Sequence, residues 1–258
     1  QYGREVVVTN NLIDRHTGRG VQMEYTATRN RIVNNTIRSN GSYGVYLFGS
    51  CCSFNTASNM VMSNFVDRNG SFGIYFWQSR QNEIRGNVVA GNVSMGIRMD
   101  DATNRVVGNV VRSNTGTGIY APYGMSRIWS NDVDGKGVQG TGIYISGVGS
   151  VASNNTVRGH VNYGIQMGSS ARVVGNTVTS NANVGVYCGG LNRVEGNVID
   201  GKGYQGFGIY LDDGDGNVIT NNVLVRNTNY GVKLYSYSAT NVVVGTRKYS
   251  NERGGISL

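Results

Sequence analysis

Gly96-Ile97-Arg98-Met99-Asp100-Asp101 opens a stretch that runs through Asn109-Val110-Val111 and Asn114 and closes on a second Gly-Ile pair, Gly118-Ile119. The same opening recurs along the chain at Gly20-Val21, Gly44-Val45, Gly73-Ile74, Gly142-Ile143, Gly164-Ile165, Gly185-Val186, Gly208-Ile209, Gly231-Val232 and Gly255-Ile256. Successive marks are 24, 29, 23, 22, 24, 22, 21, 23, 23 and 24 residues apart. Self-similarity at this period is the signature of a solenoid. Most marks are followed 12 to 15 residues later by Asn and an apolar strand start, as in Asn87-Val88-Val89, Asn176-Thr177-Val178 and Asn197-Val198-Ile199. Five residues further another Asn often stands: Asn40, Asn69, Asn92, Asn114, Asn181 or Asn227. His16, Lys136, His160 and Lys202 occupy the corresponding places in other periods. Asn tolerates left-handed backbone and bonds locally, and Asn stacked on Asn pairs its amides as a ladder.

The repeat explains the composition of 39 Gly, 32 Asn and one Pro in 258 residues. Glycine costs about 1 kcal/mol per helical position relative to Ala, whereas Val, Ile and Tyr favour strands. Each period holds two or three short strands and no helical period. The L-x-x-L-x-L pattern of leucine-rich repeats is missing, a WD40 blade needs about 40 residues, and hexapeptide helices need a shorter coil. The expectation is an all-β parallel β-helix of about 10–11 coils, forming a single domain over residues 1–258. Coils rise about 4.8 Å each, so ten steps make a rod of roughly 50 Å. No run of about 18 apolar residues is present to span a membrane, and Gln1 to Glu5 is not a signal peptide. The repeat is under way by Val6-Val7-Val8 and still runs at Gly255-Ile256. Repeat proteins need polar caps, so the chain reads as a segment of a longer one.

Asn34-Asn35-Thr36-Ile37-Arg38-Ser39-Asn40, with Gly73-Ile74-Tyr75, resembles the right-handed parallel β-helix repeats of the pectin-lyase-like superfamily, over the whole chain. The resemblance implies polysaccharide lyases, glycoside hydrolases, alginate C5-epimerases or phage tailspike depolymerases, alongside members without known catalysis. It also implies an extracellular or virion-surface setting and, for a tailspike, a homotrimer. The D-P-H motif of the epimerases and the G-H-G element of the polygalacturonases are absent, the one proline being in Ala121-Pro122-Tyr123. The repeat therefore specifies a fold and not a reaction.

Alternation after the marker glycine sets orientation. Positions one and three are apolar and point inward, as Val45 and Leu47 or Ile97 and Met99 do. Met167 and Cys188 share that column, which makes Cys188 a small core residue, roughly 29 Å by coil rise from Cys51 and Cys52. Position two then points outward: Gln22, Tyr46, Tyr75, Arg98, Tyr120, Tyr144, Gln166, Tyr187, Tyr210 and Lys233. Position four does the same: Glu24, Phe48, Trp77, Asp100, Pro122, Ser146, Gly168, Gly189, Asp212 and Tyr235. Aromatic faces stack on sugar rings, and hydroxyls and charges add directional bonds. This face is accordingly expected to bind a polysaccharide. A self-stacking strand surface and a subunit interface are the competing readings.

Arg98, Asp100 and Asp101, flanked by Tyr75, Trp77 and Tyr120, form the candidate catalytic cluster, next to about six extra residues between Ser50 and Met60. A hydrolase would use Asp100 and Asp101 as its two carboxylates. A lyase or epimerase would use Arg98 to neutralise a uronate carboxylate, and Tyr75 or Tyr120 to move the C5 proton. Tyr46, Tyr144, Tyr187, Tyr210, Asp212, Asp213 and Lys233 complete the candidate binding residues, with the second acidic cluster about 24 Å from the first. A non-catalytic structural or adhesive rod, part of a trimeric tailspike or fibre, is the alternative.

The net charge is +8, from 19 Arg and 4 Lys against 15 acidic residues. Arginine grips carboxylate, sulfate and phosphate bidentately. The basic residues are spread along the chain, which argues against nucleic acid. Three cysteines make no disulfide framework, and no C-x-x-C, H-x-x-x-H or EF-hand spacing appears. No cofactor is expected; Asp212-Asp213-Gly214-Asp215 is a Ca²⁺ candidate that reads first as a solvated turn. Asp134-Gly135-Lys136-Gly137-Val138-Gln139-Gly140 recurs as Asp200-Gly201-Lys202-Gly203-Tyr204-Gln205-Gly206. Its glycines could offer N–H groups to an anion, but a duplicated turn is the simpler reading.

Overall fold

The computed structural model describes residues 4–25, 27–49, 57–212, 214–235 and 239–257. Among these residues there is no helix, and each coil is three short strands. In one coil they are Arg105–Val107, Val110–Arg112 and Ile119–Ala121. Each strand pairs in parallel with its counterparts one coil away, which gives three 11-stranded sheets. The register is in phase throughout: Val106 pairs with Ile84 and Ile128, Val111 with Val89 and Val133, and Ile119 with Ile97 and Ile143.

Four side chains per coil fill the interior. They are the middle residues of the first two strands and positions one and three after the marker glycine. Ile84, Val89, Ile97 and Met99 make one layer, and Val106, Val111, Ile119 and Ala121 the next, all fully buried. Stacked coils thus remove one another's apolar faces from water. Cys188 is fully buried, with its Sγ 3.7 Å from Met167 Sδ. Burial raises its thiol pKa well above the usual range, as befits an inert core thiol. Cys51 and Cys52 lie outside the described residues.

The turn from first to second sheet is two residues long. Its first residue is left-handed, as at Gly108 with φ 62° and Ser130 with φ 55°. The second is the ladder asparagine. The left-handed position expected of the ladder Asn thus belongs to the residue before it. Asn11, Asn35, Asn64, Asn87, Asn109, Asn131, Asn155, Asn176, Asn197 and Asn222 form this ladder, with amide-to-amide bonds of 2.9–3.0 Å. Asn109 illustrates the wiring. Its Oδ1 accepts the backbone and side-chain N–H groups of Asn87, at 2.9 and 3.0 Å. Its Nδ2 donates to Asn131 Oδ1 at 3.0 Å and to the Ile84 carbonyl at 2.9 Å.

A second ladder, at the turn before the third sheet, corrects the sequence reading. It runs Asn40, Asn69, Asn92, Asn114, Gln139, His160, Asn181, Gln205, Asn227 and Asn251. Gln139 and Gln205, not Lys136 and Lys202, occupy the slots. The Gly-Lys-Gly insertion bulges outward and moves the next inward polar residue three places along. Each bulge carries its own anion. Asp134 Oδ1 accepts the Lys136 N–H at 3.1 Å and Asp200 Oδ1 accepts that of Lys202 at 3.0 Å. Arg158 and Arg226 pair with the same two carboxylates. Despite the opposing effect of burial, these donors and cations hold both Asp pKa values below the usual carboxylate range. The duplicated motif is therefore a self-satisfied turn.

Candidate functional site

The third sheet carries the candidate residues. Ten of its eleven marker glycines, Gly255 excepted, are packed too tightly for a side chain. A Cβ on Gly164 would lie 2.5 Å from Val178 Cγ1 and 2.7 Å from Asn181 Nδ2. Gly164 and Ile165 are both buried, so the alternation breaks at the glycine and returns residue 163 to the outer face. Strict period-2 counting missed this third outward column: Arg19, Tyr43, Phe72, Tyr163, Phe207 and Tyr230 belong to it. An aromatic immediately before Gly-Ile or Gly-Val was the available signal.

With that column added, the rings stack on one another. Tyr43 contacts Tyr46, Phe72 and Tyr75 at centroid distances of 5.0, 5.4 and 5.5 Å. Tyr120 stacks on Tyr144 at 4.8 Å, and Tyr187 lies between Tyr163 at 4.8 Å and Tyr210 at 5.9 Å. Rings packed against one another along the rod cover much of each other's faces. Tyr46 and Tyr75 are consequently only 5% and 8% exposed, which corrects their reading as open sugar platforms. Trp77 is different. It packs against Phe48 at 4.9 Å yet is 40% exposed.

Arg98 and Asp100 lie one coil beyond Tyr75 and Trp77, paired Arg98 to Tyr75 and Asp100 to Trp77. Asp100 Oδ2 accepts the Tyr75 hydroxyl at 2.8 Å and the Arg98 Nε–H at 2.8 Å, with Arg98 Nη2 also at 2.8 Å. Oδ1 is buried without a partner among the described residues. The Arg98 guanidinium sits 5.2–5.4 Å from the ring centres of Phe72, Tyr75 and Tyr120, a cation–π cradle. Its side chain is 30% exposed. Burial, then the bond to Asp100, pushes the Tyr75 phenol pKa well up; burial also raises that of Tyr120. Both phenols therefore stay protonated at neutral pH and are not bases there. Asp101 lies just past the strand end, and its Oδ1 accepts the Ala102 N–H at 2.7 Å.

The second cluster repeats the diagonal, with the Tyr187 hydroxyl donating to Asp212 Oδ2. Where Arg98 stands in the first cluster, Tyr210 stands in the second. Tyr163, Tyr187, Phe207, Tyr210 and Asp212 line a cavity of about 300 Å³. Lys233 Nζ donates to Ser257 Oγ at 3.1 Å. Asp213 and the insertion residues 50–56 lie outside the described residues.

Residues 1–89 and 141–258 match the family model described as right-handed beta helix region. Residues 49–187 match that of the periplasmic copper-binding protein NosD. The chain belongs to the right-handed β-helix and NosD families. Handedness, pectin-lyase-like type and coil number accord with the repeat. No curated protein matches this β-helix in sequence. Among solved structures, a double mutant of the periplasmic alginate epimerase AlgG is similar, with TM-score 0.77 and 15% identity over 94% of this chain and 69% of that one. The Dettilon tailspike protein gives 0.59 and 16%, over 98% and 60%. An alginate lyase from Paenibacillus gives 0.67 and 11%, over 96% and 99%. At these identities the likeness is one of fold. No helix of the described residues is long and apolar enough to cross a membrane.

The NosD description names copper. Copper sites gather imidazole and sulfur ligands. In this β-helix, Cys188 and Met167 are sealed in the core without a third ligand, and the ring nitrogens of His160 are engaged with Val133 and Gln139. Among the described residues no three His, Cys, Asp or Glu side chains come together. These residues do not fit a copper site.

Proposed function

We propose that the outer face of the third sheet binds a linear acidic polysaccharide along the rod axis, centred on Arg98 and Trp77, in a periplasmic or extracellular setting. The observation that carries the reading is the cradled guanidinium of Arg98, held by Asp100 beside the exposed ring of Trp77. Arg98 meets a uronate carboxylate and Trp77 meets the sugar face. Structural similarity to an alginate epimerase and an alginate lyase supports the same polymer class. Asp100 acts by holding Arg98: its Oδ2 is occupied by Tyr75 and Arg98, and its Oδ1 is buried. That geometry favours uronate chemistry over the two-carboxylate hydrolysis expected of Asp100 and Asp101. Arg98 would neutralise the carboxylate and so acidify C5.

Calorimetric titration with alginate and polygalacturonate oligomers tests the binding. Arg98→Ala and Trp77→Ala are each expected to weaken it about tenfold or more, a loss of roughly 1.4 kcal/mol. Parent-like affinity in both variants, with the fold retained, would sink the reading. Absorbance of unsaturated products reports a lyase, and a changed uronate ratio an epimerase. Binding without turnover assigns the face to a structural or adhesive rod.

A further inference from the structure

The arginines that look scattered in the sequence are gathered by the repeat. The outer edge of the first sheet places Arg105, Arg127, Val151, Arg172 and Arg193 in register on five consecutive rungs. All four arginines are exposed. Glu195 reaches Arg193 at 2.8 Å and Arg172 at 3.8 Å. Arg105 and Arg127 have no carboxylate within salt-bridge distance among the described residues. Like charges on directly opposed rungs repel. Glu83 stands opposite Arg105 on the preceding rung and Glu195 serves Arg172 and Arg193, so the like charges that an anion lying across the face would relieve are those of Arg105 and Arg127. Beside Arg127, the side chains of Trp129, Val151 and Ser153 complete a cavity of about 240 Å³. This gives the row one aromatic wall.

We infer that this first-sheet face is a second polyanion site, separate from the third sheet, and that its occupant is a strand of acidic or sulfated glycan lying parallel to the rod. The rungs repeat about every 4.8 Å, close to the length of one sugar residue. A chain with one anionic group per sugar therefore keeps step with the rungs, meeting Arg105 and Arg127 on successive rungs and Arg172 and Arg193 beyond Val151. Nucleic acid fits less well. Duplex DNA carries a charge about every 3.4 Å per strand, and a single-strand groove stacks successive bases on successive aromatics, whereas this row has Trp129 alone. The site does not depend on the third-sheet proposal, because it shares no residue with it.

The test is titration of the whole chain with dextran sulfate, a polygalacturonate oligomer and a single-stranded oligonucleotide, at two salt concentrations. The variants are Arg105→Ala/Arg127→Ala and, separately, Arg98→Ala/Trp77→Ala. The exposed first-sheet positions tolerate truncation, and circular dichroism checks the fold. The first double variant is expected to lose one class of glycan site, with an affinity drop of about tenfold or more and a shallower salt dependence. The second is expected to leave that class unchanged. Unchanged glycan binding in a folded Arg105→Ala/Arg127→Ala protein would overturn the site. Tighter binding of the oligonucleotide than of either glycan, lost in the same variant, would overturn the occupant.

Discussion

Asn109→Ala is expected to destabilise the rod by about 4 kcal/mol, read as a lower denaturation midpoint at unchanged pH. The substitution removes an amide that serves two neighbouring coils. Without it the Asn87 backbone N–H loses its partner, the Asn87 side-chain amide is left with the Val61 and Arg85 carbonyls alone, and the Ile84 carbonyl loses the Asn109 donor. All sit in the fully buried turn around Asn87 and Asn109, which are 0% and 1% exposed. Each stranded buried group costs roughly 1–3 kcal/mol. The void left by the amide holds at most about one water, which repairs only part of that. Asn11→Ala is the control. Asn11 carries the same ladder bond to Asn35 at 3.0 Å but is exposed. Water can replace its partners, and the expected loss is under about 1 kcal/mol. Equal losses at the two positions would show that the ladder contributes no more inside than at its end.

His160→Asn is expected to remove a pH dependence of stability between about pH 6.5 and pH 4. His160 is 1% exposed, and burial pulls its pKa down from 6.5 to about 4, the carbonyl of Val133 and nearby Asp134 opposing the shift and Arg158 adding to it. In that window the unfolded chain takes up a proton that the folded chain refuses. Stability is therefore full above pH 6.5 and falls as pH drops through the window. The loss amounts to as much as about 3 kcal/mol for a shift of this size. Asn fits the slot, since the next ladder residue is Asn181, and it does not titrate. The lowered pKa values of Asp134 and Asp200 act separately. Their contribution is present above the unfolded carboxylate pKa and is lost as pH falls below it, through their folded values. Urea titrations at pH 7, 5 and 4 on parent and variant separate the two. A parent whose midpoint stays flat from pH 7 to pH 4.5 would refute the assignment to His160.

Much of the architecture was legible because a solenoid repeats its constraints in every coil. Gly118 had to be glycine, since a Cβ there would meet Val133 Cγ1 at 2.7 Å and the Gly142 carbonyl at 2.6 Å. Repeated at ten of the eleven marks, that steric rule printed the period into the sequence. The apolar pair after each glycine and the buried Asn did the same for the core and the ladders. Sequence by itself therefore determined coil length, the inward columns and the strand-to-strand register, because each follows from a local requirement met once per coil.

What only the tertiary structure decided concerns relations between coils. The kink at the marker glycine turned Tyr43, Phe72, Tyr163 and Phe207 outward, and no local pattern announces a broken alternation. Stacking between coils then buried Tyr75, left Trp77 open and fastened Arg98 to Asp100. The Gly-Lys-Gly bulge moved Gln139 and Gln205 into a ladder where Lys136 and Lys202 were expected. Arg105 and Arg127 stand 22 residues apart in sequence yet are paired across adjacent rungs. A charge pattern that looks dispersed along the chain becomes a single row once the period equals one turn of the rod.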